Sequence, residues 1–431
     1  MALKSNSLCE ADFHKRRERL LKLLPDNATA IIPAADEKVF SRDVHYPFRQ
    51  NSNLLYFTGL KEPLSALILE KRKGKSLSTI VVREKDAARE LWQGVVLGVK
   101  KAQKLFHVDK VVSYSELFPE FQRAVSGQQN IYIDWNANSE VDSFIVEGCR
   151  DISSSPANIC SLAPLIAGLR ICKSNAEIAL HRKACQLSAR SFNELTSLLP
   201  EMNNERHVAT TLEAIFYKYG ADGLAFNTIA AFGDNATCLH HSPGKRTTTG
   251  QSSVLIDAGA SFGGYAADIT RVYPLKHSHL PPEVKEVHQL VLQTLKAATI
   301  AVNPGTTLGE IRKIAVLELA SGLKDLGFKN AGKSNLQQTV NRYFPHSIGH
   351  FLGLDVHDVY PPATVDNGRG SDIPLKTNMI VTIEPGLYFP TKDDNVPKRL
   401  RGIGIRLEDD VLVKKNGHEV LTGDALFSPE R

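Results

Sequence analysis

The stretch VLIDAGASFGGYAADITRVY, residues 254–273, decides how the second half of the chain folds. Its apolar run Val254–Ile256 ends on Asp257, the segment Gly259–Gly264 reads as a turn, and Asp268 follows eleven residues after Asp257. Two carboxylates can therefore converge from neighbouring strands. Taken alone the pair has an ordinary explanation, because Asp is common where a strand enters a turn.

Residues further along change that weighting. His346-Ser-Ile-Gly-His350, Glu384 in Thr-Ile-Glu-Pro-Gly-Leu-Tyr and Glu408 in Gly-Ile-Arg-Leu-Glu-Asp-Asp each follow or interrupt an apolar, strand-like run. Desolvating an isolated carboxylate in such surroundings costs several kcal/mol or more unless it is paired or metal-bound. Asp257, Asp268, Glu384 and Glu408 with His350 form a hard, oxygen-rich donor set, suited to manganese or cobalt and unsuited to a thiolate-type zinc site. Carboxylates bridging two ions about 3.5 Å apart would let a shared water become hydroxide near neutral pH and attack a polarised carbonyl. Hydrolysis is the expected chemistry. Arg406 precedes Glu408 by two residues, so strand alternation puts both on one face, where the guanidinium can hold a ligand carboxylate.

Outward from this stretch, strands are expected at Asn227–Phe232, Ser253–Asp257, Tyr273–Leu275, Met379–Ile383 and Val411–Lys414. Helices are expected over Arg206–Tyr219, Pro282–Val302 and Leu308–Leu326. A long helix begins near Asn175, with Ser174 and Glu177 spaced as a capping box. This order suggests an antiparallel sheet with helices on one side. Before residue 172 the pattern differs: a helix near 13–24, short strands at Ala30–Pro33, Ser65–Leu69, Ser78–Val82 and Asn130–Ile133, and helices around Ala87–Leu91 and Ser115–Ala124, an α/β arrangement. The Ser-, Pro- and Ala-rich segment 151–164 lacks periodicity, and a boundary near Cys172 divides domains 1–172 and 173–431.

Composition narrows the classes. The 431 residues are 42% hydrophobic and 23% charged, the balance of a globular protein, with a net charge of +5 spread without long like-charge blocks. A nucleic-acid-binding role is not indicated. The cluster Lys15, Arg16, Arg17 and Arg19 reads as the solvated face of a surface helix. No segment approaches the ~18 apolar residues of a membrane span, and the N-terminus has no signal or transit pattern. The six cysteines lack C-x-x-C spacing, as expected of free thiols in a cytoplasmic protein.

In order and spacing, Asp257, Asp268, His350, Glu384 and Glu408 resemble the five-ligand signature of the pita-bread metallopeptidases. Three further stretches are similar to bacterial-type aminopeptidase P: YPFRQNSNLLYFTG (46–59), HFLGLDVHD (350–358) and RGIGIRLEDD (401–410). The resemblance implies an α/β N-terminal domain followed by an α+β pita-bread catalytic domain. It also implies two divalent ions, Mn²⁺ first and Co²⁺ or Zn²⁺ as alternatives, with Asp257 chelating one metal, Asp268 and Glu408 bridging, and His350 and Glu384 completing the other.

By the same resemblance, His240 and His357 flank the scissile bond and Glu384 passes protons; Arg406 is counted with the catalytic group on its strand position, an ordinary surface arginine being the alternative. His346 lines a proline pocket, and Trp92 reaches a neighbouring subunit's site in a homodimer or homotetramer, core packing being the alternative for a lone tryptophan; Tyr388, four residues after Glu384, is either a support residue of the substrate site or a packed strand aromatic. The implied substrates are peptides with proline second, cut by a metal-bridging hydroxide. A dipeptidase restricted to Xaa-Pro is the alternative, and a non-catalytic pita-bread binding protein a remote one. Phe226, where relatives usually carry tyrosine, and Val95-Val96, where they carry a basic pair, depart from the pattern.

Overall fold

In a computed structural model of the chain, residues 8–151, 158–275, 279–328, 333–360 and 372–427 are described. They form two compact units, Ser7–Leu169 and Arg170–Arg431.

The N-terminal unit is built on one six-stranded mixed sheet, in spatial order Lys110–Ser113, Lys75–Val82, Ala66–Arg72, Ala28–Pro33, Asn130–Ile133 and Asn158–Ser161. Ala28–Pro33 is fully buried and pairs antiparallel with Ala66–Arg72 and parallel with Asn130–Ile133. Such a strand loses the polar–apolar alternation of a surface strand and reads as a short apolar run. The last strand, Asn158–Ser161, lies in a segment the sequence left without structure; it is a mostly exposed edge, so it carries no hydrophobic signal.

Two of the four basic residues near the start are not solvated. Arg16 and Arg17, on the helix Glu10–Leu23, are 5% and 1% exposed. Arg16 donates to the Tyr56 carbonyl at 2.8 Å and lies over the Tyr56 ring; Arg17 donates to the Phe57 carbonyl at 2.9 Å and to Glu10. Buried guanidinium groups are tolerated because their donors are met by carbonyls and a carboxylate, a pairing that composition cannot reveal. The carbonyls belong to the helix Ser52–Thr58, which Asn51 caps by accepting from the Asn53 N–H.

The C-terminal unit is organised around Ile229–Phe232, Ser253–Ala258 and Ile269–Pro274, which pair antiparallel in that order. Their residues alternate between two apolar layers. Ile229, Ala231, Leu255 and Val272 pack with the helices Pro282–Ile300 and Leu308–Asp325. Ala230, Phe232, Val254, Ile256 and Tyr273 pack with the helices Asn175–Leu198 and Glu205–Lys218. Helices therefore cover both faces of this sheet, not one as the element order suggested. Strands buried on both sides give continuous apolar runs, which do not reveal how many faces are covered.

The third strand is also longer than expected. Arg271 breaks its apolar pattern, yet is 0% exposed: it donates to Asp409 at 2.7 Å and to the Glu408 carbonyl at 2.6 Å. The capping box at Ser174 is present as the sequence implies, the Ser174 N–H donating to Glu177 at 2.9 Å. Further on, Ile380–Ile383 pairs with Asp409–Val413, and Gly386–Tyr388 with Gly404–Arg406. The fold class is the one expected: an α/β unit followed by an α+β unit. Among the described residues no helix is long and apolar enough to cross a membrane.

Candidate active site

Five acidic and imidazole side chains are brought together by three local pairings of the C-terminal unit. Asp257 lies on Ser253–Ala258 opposite Thr270, and Asp268 immediately precedes the partner strand. The crossing is tight: a Cβ on Gly259 would overlap the Ala267 carbonyl, so only glycine fits between the two aspartates. Residues 348–352 run antiparallel to 380–384. The Glu384 N–H donates to the Ile348 carbonyl at 2.7 Å, the Thr382 N–H to the His350 carbonyl at 2.9 Å, and the Leu352 N–H to the Ile380 carbonyl at 3.0 Å. A Cβ on Gly349 would meet the Thr382 carbonyl. Glu408 joins through an isolated bridge to Thr270, its N–H donating to the Thr270 carbonyl at 3.1 Å.

The result is a buried cluster. Donor atoms of Asp268, His350 and Glu408 lie within 4.8 Å of one another, and His350 Nε2 stands 3.5 Å from Asp268 and 4.0 Å from Glu384. His350 Nδ1–H donates to the Phe351 carbonyl at 3.1 Å, which fixes the tautomer and turns the Nε2 lone pair toward the carboxylates. Thr270 donates to Glu408 at 2.6 Å, the Asp268 N–H donates to Asp410 at 3.0 Å, and Arg406 donates to Asp257 at 2.6 Å.

Burial, and then the neighbouring carboxylates led by Glu408, push the Asp268 and Glu384 carboxyls well above the ordinary range. Burial and the Asp257 charge raise Glu408 to about 8. Packing this many acids together is costly unless cations compensate them. Two oxygens, Asp257 Oδ1 and Asp268 Oδ1, are buried without a hydrogen-bond partner. Unpartnered carboxylate oxygens in a cluster whose Asp268, His350 and Glu408 donor atoms converge are what a hard divalent cation requires, so the donor set fits a metal site.

A cavity of about 620 Å³ opens onto this cluster, lined by all five residues together with His240, His346, His357 and Arg406. His357 packs edge-on against His350, ring centroids 4.4 Å apart. Burial, with Arg406 nearby, lowers His346 to about 3, so its ring is neutral: Nδ1–H donates to the Ser347 carbonyl and Nε2 accepts from the Tyr388 hydroxyl at 2.8 Å. Tyr388 is buried behind this wall and accepts from Arg406 at 3.0 Å. Phe226 lines the cavity. Trp92 belongs to the N-terminal unit, on the helix Ala87–Gln93, and is 86% exposed.

Sequence reasoning passed over Thr270 and Asp410, which hold Glu408 and Asp268, and Thr382, whose hydroxyl accepts from the His350 N–H at 3.1 Å. Asp410 shares the alternation of Arg406 and Glu408, a signal that could have marked it. Asp358, directly after His357, is also missing from that reading. It is buried between Arg170 at 2.5 Å and Lys173 at 3.0 Å, cations that arrive from nearly two hundred residues upstream.

Comparison with known proteins agrees with this picture. Residues 179–415 match metallopeptidase family M24, and residues 13–132 match the aminopeptidase P N-terminal domain. The chain is 32% identical to the Xaa-Pro aminopeptidase of Escherichia coli over 99% of its own length and 97% of that protein. It is also 32% identical to the mitochondrial intermediate cleaving peptidase 55 of Arabidopsis thaliana, over 96% of this chain and 80% of that one. The solved structure of aminopeptidase P from E. coli with the inhibitor Pro-Leu superposes with a TM-score of 0.91 at 32% identity, covering 98% and 97% of the two chains. With a buried acid–imidazole cluster of metal-binding character and both domain matches in order along one chain, the protein belongs to metallopeptidase family M24 and is an enzyme of the aminopeptidase P kind.

Proposed function

We propose that the chain removes the N-terminal residue from peptides whose second residue is proline, at a centre of two divalent ions held by Asp257, Asp268, His350, Glu384 and Glu408. The observation that carries this reading is the convergence of Asp268, His350 and Glu408 within 4.8 Å, beside unpartnered oxygens of Asp257 and Asp268. The end-to-end likeness to a Xaa-Pro aminopeptidase supports the substrate class. Manganese is the proposed metal, on the carboxylate-rich donor set. When bound, the ions would polarise the scissile carbonyl and lower the pKa of the attacking water.

The chain's own groups do the rest. Glu384 takes the proton released by the water as it adds to the carbonyl carbon, and returns it to the proline nitrogen as the C–N bond breaks. His240 and His357 line the cavity beside the reacting carbonyl and steady the charge that grows on its oxygen. His346, neutral and fixed through Tyr388, gives the proline ring an uncharged wall. The bond before proline has no N–H, so a site that grips the ring gains what a site that hydrogen-bonds the amide would lose. Arg406 holds Asp257 in its ligand orientation.

The domain assignment, 1–172 as the aminopeptidase P-type domain and 173–431 as the catalytic domain, belongs to the same reading. So does a homodimer or homotetramer, in which the exposed Leu91, Trp92 and Val95 are covered and Trp92 reaches a neighbouring site. A cytoplasmic location is consistent with Cys9, Cys160, Cys185 and Cys238 being thiols, the state a reducing compartment maintains. The deciding experiment removes metal with a chelator, adds back Mn²⁺, Co²⁺ or Zn²⁺, and compares a Xaa-Pro-Xaa tripeptide with the Xaa-Pro dipeptide. Metal-dependent release of the first residue from the tripeptide is expected; hydrolysis confined to the dipeptide would make the enzyme a prolidase instead.

A further inference from the structure

We infer that Glu205 is the positioning residue for His240, an inference that rests on the role proposed above for His240. Glu205 opens the helix Glu205–Lys218 and is 0% exposed. Its carboxylate is met by donors from a single stretch of chain. Oε1 accepts from the Phe232 N–H at 2.9 Å and from Asn235 Nδ2 at 2.7 Å; Oε2 accepts from the Gly244 N–H at 3.1 Å and from His241 Nε2–H at 2.9 Å. The Glu205 and Arg206 N–H groups donate back to the Arg246 and Gly244 carbonyls. Residues 232–246 thus fold around one buried carboxylate, and His240 is carried on that loop.

Both neighbours of His240 are tied down. Leu239 gives its carbonyl to Arg406 Nη2 at 3.4 Å, the same nitrogen that holds Asp257 at 2.6 Å. His241 gives its Nε2–H to Glu205. The two adjacent histidines, indistinguishable by type, are therefore assigned different work: His241 anchors the loop, and His240 is exposed at the cavity. Glu205 suits this task better than glutamine would. Four donors need two acceptor oxygens, and an amide would turn its NH₂ toward either the Phe232 or the Gly244 N–H. The plainer reading makes Glu205 a helix-start residue that satisfies loop amides and affects only folding, and kinetics can tell the two apart.

The test measures kcat and KM for a tripeptide with proline second, on the metal-loaded full chain, in Glu205→Gln, His240→Ala and the double variant. Displacing a catalytic group by about 1 Å costs on the order of a hundredfold in rate, so Glu205→Gln should lower kcat by about that factor with KM changed by less than about threefold. In the His240→Ala background the same substitution should cost no more than about threefold, because its effect travels through the imidazole already removed. An equal loss in both backgrounds, or a lower melting temperature with kcat per folded molecule unchanged, would overturn the inference. His241→Gln, which keeps a donor for Glu205, should exceed His241→Leu in kcat by about tenfold, and equal rates for that pair would overturn it even if Glu205→Gln does not fold. Full activity in His240→Ala alone would instead overturn the role given to His240.

Discussion

Arg406 Nη2 lies 2.6 Å from Asp257 Oδ2 inside the cavity wall, leaving Asp257 Oδ1 buried and without a protein partner. At the proposed metal centre the guanidinium would thereby select which oxygen of the aspartate serves an ion. It also donates to Tyr388 and Thr270, contacts that need a planar fork. Arg406→Lys should therefore behave as a loss, not as a conservative change. Metal affinity is expected to fall by about 10–100-fold, read by titrating the chelated protein with Mn²⁺ in a calorimeter.

Gly349 faces the Thr382 carbonyl so closely that a methyl group has no room. Gly349→Ala must separate the 348–352 and 380–384 segments, and with them His350 and Glu384. A cost on the order of 3 kcal/mol is expected, accompanied by loss of turnover, whereas the nearby surface change Lys376→Ala should leave the denaturation midpoint where it was.

Asp358 holds two buried cations, Arg170 and Lys173, beneath the loop that carries His350 and His357. The two charges keep the Asp358 carboxyl below its usual value even though burial opposes ionisation. Asp358→Asn takes the carboxylate from Lys173 and leaves Arg170 only Asp355, and removing one partner of a buried ion pair costs about 3–5 kcal/mol. Urea unfolding of the metal-free proteins would measure it. Changing Asp355, which meets Arg170 nearer the surface at 2.9 Å, should cost much less.

His288, on the helix Pro282–Ile300, is 7% exposed and its Nε2 has no hydrogen-bond partner; burial, and secondarily Arg271, lowers its pKa to about 4. Its unfolded value is near 6.5, so below that pH the unfolded chain takes up a proton that the folded chain refuses. Stability is therefore full above about pH 6.5 and falls as the pH drops toward 4, by on the order of 3 kcal/mol from this residue. His288→Leu should flatten that slope in melts recorded between pH 4 and 7.

How much of this was legible beforehand depended on whether a residue's partner lies nearby in sequence. The capping box of Ser174 and Glu177, three residues apart, could be read directly, as could the apolar runs that became buried strands. The acidic and imidazole residues could be picked out because carboxylates on apolar strands are costly and so conspicuous. What stayed hidden were buried charges whose partners come from distant segments. Arg17 meets the Phe57 carbonyl forty residues away, so it read as part of a solvated helix face, and Arg271 meets Asp409, a partner that nothing near it in sequence announces. Coverage of the central sheet on both faces stayed hidden for a related reason: a fully apolar strand carries no mark of which neighbour touches which side.

The residues that hold the acidic cluster in place have a kinetic consequence. Thr270, Asp410, Arg406 and the Phe351 carbonyl fix the side chains or backbone of Glu408, Asp268, Asp257 and His350 through contacts that need no ion. The cage nonetheless spans chain positions 257 to 408, so it cannot close until long-range pairing is complete, a slow event for a chain of this topology. Ion capture should therefore come last in maturation and ask little further rearrangement of the protein, so that one ion can be exchanged for another at a rate set by dissociation and not by refolding.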